Sequence, residues 1–432
     1  MKIGVLGLWH LGCVTSACMA DLGFFVTGYD FDENVVKDLQ SGKPPLFEPG
    51  LEELIKHNME QKRLIFHTDA KKAFGDIDYL WIAMDTPLDE NDIADIEQLG
   101  DKVKKILAHL PNNVKIIISS QAPVGFTKTM ESAFAKINPD KKGYFAHSPE
   151  NLRLGNAIHI FKEPARIVIG LRDVNDKTHF LPLFSRISPN LEWMKIESSE
   201  MTKHAINTFL ASSIVFANEI ASLCESVDAD AKEVERGLKT EERIGPKAFV
   251  SPGLAFAGGT LARDVNFLLA AADKHKKQIH LITAIKKSND HHKQWIANKC
   301  EYLFPDLKNT KFGVLGLAYK ANTSTLRRST SIELCKWLSS KGAKVYGFDP
   351  NISELPAELE KIIELKKSIV EVVKSADCII LVNEHPLVKQ TLLENAALLK
   401  NKVLIDPTRY VDAVIPIKEF AYINVGRHPA KK

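Results

Sequence analysis

The chain has little that would tie it to nucleic acid, to a membrane or to an oxidising compartment. Across 432 residues Lys plus Arg number 57 and Asp plus Glu 54, and no half is strongly basic. The electrostatic footprint of a nucleic-acid partner is therefore absent, and none is expected. Cysteines are few. The six, at 13, 18, 224, 300, 335 and 378, form no C-x-x-C pair and mostly fall in apolar helix or strand patterns, which is reduced usage and predicts a cytoplasmic protein. No uninterrupted apolar run reaches membrane-spanning length. The longest candidate, 205–227, contains Asn207, Asn218, Glu219 and Glu225, which suits a buried helix better than a membrane span. Low-complexity tracts are missing too. His275, His280, His291 and His292 lack the spacing of a ligand set, so no metal is expected and a solvated helical surface is.

One N-terminal feature imitates a leader. Lys2 precedes an apolar run and Ala17-Cys18-Met19-Ala20 resembles a cleavage site, but a single side-chain charge is a weak n-region. Cutting there would destroy a strand-turn-helix unit, so the segment is expected to be structural.

What is there begins with a repeat. Residues 4–8 and 313–317 both read Gly-Val-Leu-Gly-Leu, and each opens a strand-turn-helix pattern that closes near a strand-end aspartate, Asp30 or Asp349. Apolar strands at 2–7, 24–30, 79–84, 115–120, 144–147 and 166–170 alternate with helical patterns, which predicts a parallel sheet covered by helices. From about 198 to 285 the pattern is helical. Strands resume at 312–315, 344–348, 378–382 and 403–406. The fold class is therefore α/β, two doubly wound Rossmann-like domains joined by a helical middle segment, with expected boundaries of 1–197, 198–295 and 296–432. Two nucleotide-binding halves imply two nucleotide ligands.

The first turn reads Gly7-Leu8-Trp9-His10-Leu11-Gly12, a dinucleotide fingerprint G-x-G-x-x-G with Trp9 in place of the second glycine. The strand before it, the helix after it and Asp30, placed to bind a ribose hydroxyl, support an NAD-type site. Further on, Glu200, Lys203 and Asn207 fall at i, i+3 and i+7, so one helix face carries them. A lysine beside a carboxamide can take the proton of a hydroxyl while the amide orients the oxygen. Taken alone, Glu200 and Lys203 fit an exposed ion pair equally well.

The stretch from Arg243-Ile244-Gly245 through Lys247 to Phe256-Ala257-Gly258-Gly259-Thr260-Leu261-Ala262-Arg263-Asp264 resembles the UDP-glucose and GDP-mannose dehydrogenase family. Further likenesses lie at Phe47-Glu48-Pro49-Gly50-Leu51, Asp85-Thr86-Pro87, Pro123-Val124-Gly125, Ser148-Pro149-Glu150, Gly316-Leu317-Ala318-Tyr319-Lys320 and Asp406-x-x-Arg409. The resemblance implies a homodimer that oxidises the C6 alcohol of a UDP-hexose, of UDP-glucose type, to a carboxylate with two equivalents of NAD. It implies cofactor contacts at Gly7, Trp9, His10, Leu11, Gly12, Asp30, Thr86, Gln121 and Arg327. Substrate contacts are implied at Glu150, Lys203, Asn207, Arg243, Lys247, Phe256, Gly258, Tyr319, Lys320 and Arg409, and chemistry at Lys203, Asn207, Asp264 and Glu150.

The pattern departs at the residue that matters most. The family loop runs G-F-G-G-S-C-F-P-K-D, and Thr260 occupies the cysteine position; Gln121 and Arg263 replace a threonine and a lysine. A threonine hydroxyl ionises far less readily than a thiol and leaves an acyl group poorly. Complete oxidation by the usual thioester route is not expected, while one alcohol-to-carbonyl step needs no thiol. Two other readings follow from these departures: a non-catalytic nucleotide-sugar-binding homologue, or a two-electron oxidation at another sugar carbon.

Overall fold

The computed structural model describes residues 1–89, 93–257, 259–320, 323–412 and 420–427. These divide into two compact units, Met1–Ala205 and Ile206–Lys432.

The first unit contains β1 (Lys2–Leu6), β2 (Phe25–Tyr29), β3 (Leu64–His67), β4 (Tyr79–Ile82), β5 (Val114–Ile118), β6 (Gly143–His147), β7 (Ile167–Leu171) and β8 (Leu191–Lys195). Their order in the sheet is β3-β2-β1-β4-β5-β6-β7-β8. Every neighbouring pair is parallel except β6 and β7, which are antiparallel through Ala146 opposite Leu171 and His147 opposite Gly170. The wholly parallel sheet expected from sequence alternation is thus interrupted once. Strands such as β1 and β4 read as continuous apolar runs because helices bury both faces. Ile3, Val5, Leu8 and Phe24 belong to one core cluster, and Leu6, Phe74, Leu80 and Ile118 to another.

In the second unit β9 (Lys311–Leu315), β10 (Lys344–Phe348), β11 (Ile363–Leu365), β12 (Cys378–Leu381), β13 (Val403–Ile405) and β14 (Ala421–Ile423) form a parallel sheet in the order β11-β10-β9-β12-β13-β14. Most of the helical middle packs with this sheet domain. Cys224 and Ala231 share a cluster with Val425, and partly buried Trp295 and Leu254 lie against cores of this unit.

The helix Ile196–Val227 carries the predicted one-face triad. It begins earlier than the apolar run in the sequence suggests, and by length and composition it could cross a bilayer. Its Glu225 is nevertheless engaged by protein, accepting hydrogen bonds from Trp295 Nε1 at 3.0 Å and Lys299 Nζ at 2.8 Å. Glu200 is not an exposed partner of Lys203. Its buried carboxylate caps the helix Phe126–Ile137, accepting from Gly125 N at 2.6 Å, Thr127 N at 3.0 Å and Thr127 Oγ1 at 2.7 Å. Burial pushes this carboxyl up, while the three donors oppose that shift. Removing the acceptor would cost about 1–3 kcal/mol for each donor left dry.

Candidate active site

The first site element is the turn between β1 and the helix His10–Asp21. Gly7 has φ +94°, where a side chain is strained, and a Cβ on Gly12 would lie 1.6 Å from Gly7 O. Those two positions require glycine. Trp9 is different: its φ of −75° and ψ of −162° are open to any residue, and its side chain is 41% exposed. The fold therefore tolerates the substitution without moving the turn. The helix that follows has no side-chain N-cap and no acidic residue in its first turn, so its leading N–H groups suit an anion such as a pyrophosphate. Asp30 Oδ2 accepts from Leu8 N at 2.7 Å, which fixes the carboxylate at the end of β2, where a ribose hydroxyl would be read. The donors and the glycine geometry both fit a dinucleotide.

His10 pairs with Glu48, Nε2 to Oε2 at 2.8 Å. Glu48 also accepts from Gly155 N at 2.8 Å and Ala157 N at 2.7 Å. Burial alone would raise the Glu48 carboxyl, but the His10 and backbone donors outweigh it and hold it below the usual carboxylate range. Glu48 belongs to the stretch Phe47-Glu48-Pro49-Gly50-Leu51, yet its task of tying two loops together is tertiary and carries no local signal. At the ends of β4 and β5, Thr86 Oγ1 donates to Gln121 O at 2.6 Å, and both residues are buried. A cavity of about 80 Å³ is lined by Leu11, Thr15, Trp81, Ser119, Ser148 and Glu150 among others, so the first turn of the glycine helix and Glu150 share one space.

Lys203 is buried beside Glu150. Its ammonium donates to the Glu150 carbonyl and, at 3.2 Å, to Oε1, while Oε2 accepts from Leu152 N at 2.9 Å. Asn207, one turn further along the same helix, falls in the second unit. There its Nδ2 donates to Asp264 Oδ2, and Asp264 is 0% exposed. Thr260 and Asp264 are four residues apart on the helix Thr260–Lys274 and share a face. Thr260 opens that helix after Gly259, whose φ is +103°, and is itself exposed.

No cysteine replaces the missing thiol. All six are buried and free, and burial raises every one of them, Cys300 and Cys335 to about 12. None is poised as a thiolate.

Around the glycine loop, a Cβ on Gly259 would meet the Tyr319 hydroxyl at 3.8 Å, so Tyr319 stands beside the segment that ends at Thr260. Burial raises its phenol, against the pull of Arg263. Phe256 is half-buried; Lys247, Lys320, Arg327 and Arg243 are exposed, the last paired with Glu241 at 2.7 Å. Gly258 lies outside the described residues. Arg409 is buried and its guanidinium is taken up inside the protein: Nη1 meets Asp230 Oδ1 at 2.6 Å and Nε donates to Asn424 Oδ1 at 2.8 Å. Nothing in the sequence linked Arg409 to Asp230. Among the described residues no cluster of metal-ligating side chains occurs. His275, His280 and His291 are exposed, but His292 departs from the expected solvated surface. It is half-buried, and its Nε2 lies 2.8 Å from Gly253 O.

Three family models match the chain in order. They are the NAD binding domain, the central domain and the UDP binding domain of the UDP-glucose/GDP-mannose dehydrogenase family, over residues 1–188, 197–291 and 313–413. The chain belongs to this family. A UDP-glucose 6-dehydrogenase of Rhizobium meliloti is 33% identical over 392 residues, 89% of each chain. One of Bacillus subtilis is 32% identical over 94% of this chain and 88% of the relative. Among solved structures, a UDP-glucose dehydrogenase of Pyrobaculum islandicum superposes with a TM-score of 0.88 at 26% identity, covering 99% and 98%. UDP-D-ManNAc dehydrogenase of Pyrococcus horikoshii, at 24% identity and a TM-score of 0.87, shares the fold. The family member's first unit is its NAD-binding domain and its last segment a UDP-binding domain, which takes a UDP-sugar as the small-molecule partner.

Gly12→Ala is expected to weaken NAD binding at least about 100-fold, because its Cβ cannot coexist with the turn. Trp9→Gly should change it by less than about fivefold, since only an exposed side chain is lost. Calorimetric titration of both variants with NAD checks this. A loss with Trp9→Gly as large as with Gly12→Ala would show that the indole itself holds the cofactor.

Proposed function

We propose that this family member oxidises the C6 alcohol of a UDP-hexose of the UDP-glucose type and does not use the acyl-thioester route. The observation that carries the proposal is the pair Lys203 and Asn207, one turn apart on one helix, each buried and each fixed by an acidic residue, Glu150 and Asp264. NAD, when bound, supplies the hydride acceptor. Lys203 removes or shares the proton of the reacting hydroxyl, and Asn207 orients its oxygen. Glu150 keeps the ammonium in place, and Asp264 keeps the carboxamide in place. Thr260 contributes a hydroxyl too weakly acidic to form and release an acyl enzyme. Thr86, Gln121 and Arg327 are assigned to the cofactor, and Arg243, Lys247, Phe256, Gly258, Tyr319 and Lys320 to the nucleotide sugar. Arg409 is assigned a supporting part through its pair with Asp230.

Titrating the purified protein with NAD, with and without UDP-glucose, while following NADH absorbance and heat in the same samples tests this directly. NADH at about one equivalent per sugar is expected, because only the first oxidation proceeds without a thiol. Absence of NADH across a panel of UDP- and GDP-sugars would remove the proposed activity. Sugar-nucleotide heat with no cofactor heat would make the protein a binding homologue, and product analysis would reveal oxidation at another carbon.

We also propose a homodimer in the cytoplasm. Phe209, Phe216 and Leu223 recur every seven residues on the helix Ile196–Val227 and are 71%, 46% and 62% exposed. A stripe of that spacing suits pairing with a second copy of the same helix. Phe216→Glu is expected to weaken self-association at least about 100-fold, as loss of a central apolar anchor does. Sedimentation velocity at micromolar concentration reads the change, and a wild-type protein that sediments as a monomer would end the proposal.

A further inference from the structure

The loop that leads to Thr260 is not part of a sheet, so its backbone polar groups need other partners. Side chains from two helices supply them. Asn218, on the helix Ile196–Val227, accepts from Gly253 N at 2.9 Å and donates to Leu254 O at 3.3 Å. His292, at the end of the helix His280–His292, meets Gly253 O at 2.8 Å. Asn289, one turn earlier on that helix, accepts from Phe256 N at 3.0 Å through Oδ1 and donates to Phe256 O at 2.9 Å through Nδ2. The orientation of the Asn289 amide is fixed, because only Oδ1 can face the N–H and only Nδ2 the carbonyl.

Asn289 is 3% exposed, and it holds both backbone polar groups of Phe256. The Phe256 side chain meanwhile packs against the cluster of Ala211, Val215, Val265 and Ile285. Amide clamp and apolar anchor together fix Phe256, three residues before Gly259, where the backbone turns into the helix bearing Thr260 and Asp264. A carboxylate at position 289 could accept but not donate, and an aliphatic side chain could do neither.

We propose that Asn289 is a positioning residue for nucleotide-sugar binding, acting through the Phe256 backbone to hold the loop in its receiving shape. The proposal rests on the function proposed above, and its test separates the two. Full-length Asn289→Leu and Asn289→Asp are compared with the parent protein by amide hydrogen exchange over residues 253–257. Calorimetry with UDP and with NAD is run in parallel at pH 5.5 and 8.5.

Exchange over 253–257 should quicken in Asn289→Leu at both pH values. UDP affinity should fall about tenfold, the worth of two hydrogen bonds, while NAD affinity stays within about twofold of the parent. Asn289→Asp should behave like Asn289→Leu at pH 8.5. At pH 5.5 the buried carboxyl takes a proton and regains a donor, so its UDP affinity relative to the parent should recover to within about threefold. A role in mere bulk stability would not produce that recovery. Unchanged exchange in both variants overturns the clamp. Faster exchange with unchanged UDP affinity overturns its role in binding, and an Asp variant with the same deficit at both pH values overturns the part assigned to the donor. If the parent protein does not bind UDP, the proposed positioning role fails along with the proposed substrate, while the exchange data still report whether the clamp exists.

Discussion

Replacing Thr260 by cysteine is expected to raise the NADH formed per molecule of UDP-glucose from about one equivalent to about two, with uronate replacing aldehyde as the product. The position favours a reactive thiol. Residue 260 is exposed and opens the helix Thr260–Lys274, and a helix N-terminus lowers a thiol's pKa. The six native cysteines are buried and raised by that burial. The introduced thiol would add to the aldehyde carbon, its proton passing to the carbonyl oxygen. A second NAD, when bound, would supply the acceptor for the adduct's hydride while the hydroxyl proton is released, leaving a thioester, and water would cleave the thioester to carboxylate and free thiol. Threonine fails at both ends, as a nucleophile and as a leaving group. Absorbance at the NADH band with mass spectrometry of the sugar product decides the matter. If the parent protein already delivers two equivalents and uronate rapidly, Thr260 does not limit the reaction and the proposed stop after one step is wrong.

The legible parts of this molecule were those with local repetition. The Gly-Val-Leu-Gly-Leu repeat marks β1 and β9 and the turns after them, and helical spacing placed Lys203 and Asn207 on one helix. Short strands are not legible: β3, β8, β11 and β14 are three to five residues long, too short to display a period of their own. The repeat also concealed a difference. Asp30 is half-buried and accepts one turn N–H through Oδ2, whereas Asp349 is buried and its Oδ2 accepts two, from Leu317 at 2.8 Å and Ala318 at 2.9 Å. Equivalent sequence positions therefore present unequal carboxylates to a ligand. Partnerships between distant residues were illegible for a simpler reason. Asp230 and Arg409 are 179 positions apart, and Glu200 reaches 73 positions back to Thr127; no periodicity links such pairs. His292 shows the reverse error, where three exposed neighbours masked one half-buried histidine with a loop carbonyl to meet.

Lys203→Met should lower kcat by about 10²–10⁴-fold, the range of a lost general acid-base group, and leave NAD affinity nearly unchanged. The methionine keeps most of the stem's volume in a buried place, so packing is largely preserved while the group assigned to the hydroxyl proton is removed. Lys203→Arg is the sharper control. A guanidinium retains the positive charge and can still meet Glu150, but it does not give up a proton at working pH and its fork needs a different geometry. If Lys203 acts only by charge, arginine should restore much of the rate; if it handles the proton, arginine should be nearly as inactive as methionine. Glu150→Gln divides the roles further. The lysine's contact with the Glu150 carbonyl survives that change and only its contact with Oε1 is altered, so a loss of about tenfold is expected, as for one charge-assisted hydrogen bond. Steady-state kinetics with calorimetric NAD and UDP titrations of the three variants would read these outcomes. A Lys203→Met protein that binds both ligands and turns over at the parent rate would place the base elsewhere and dissolve the proposed pairing of Lys203 with Asn207.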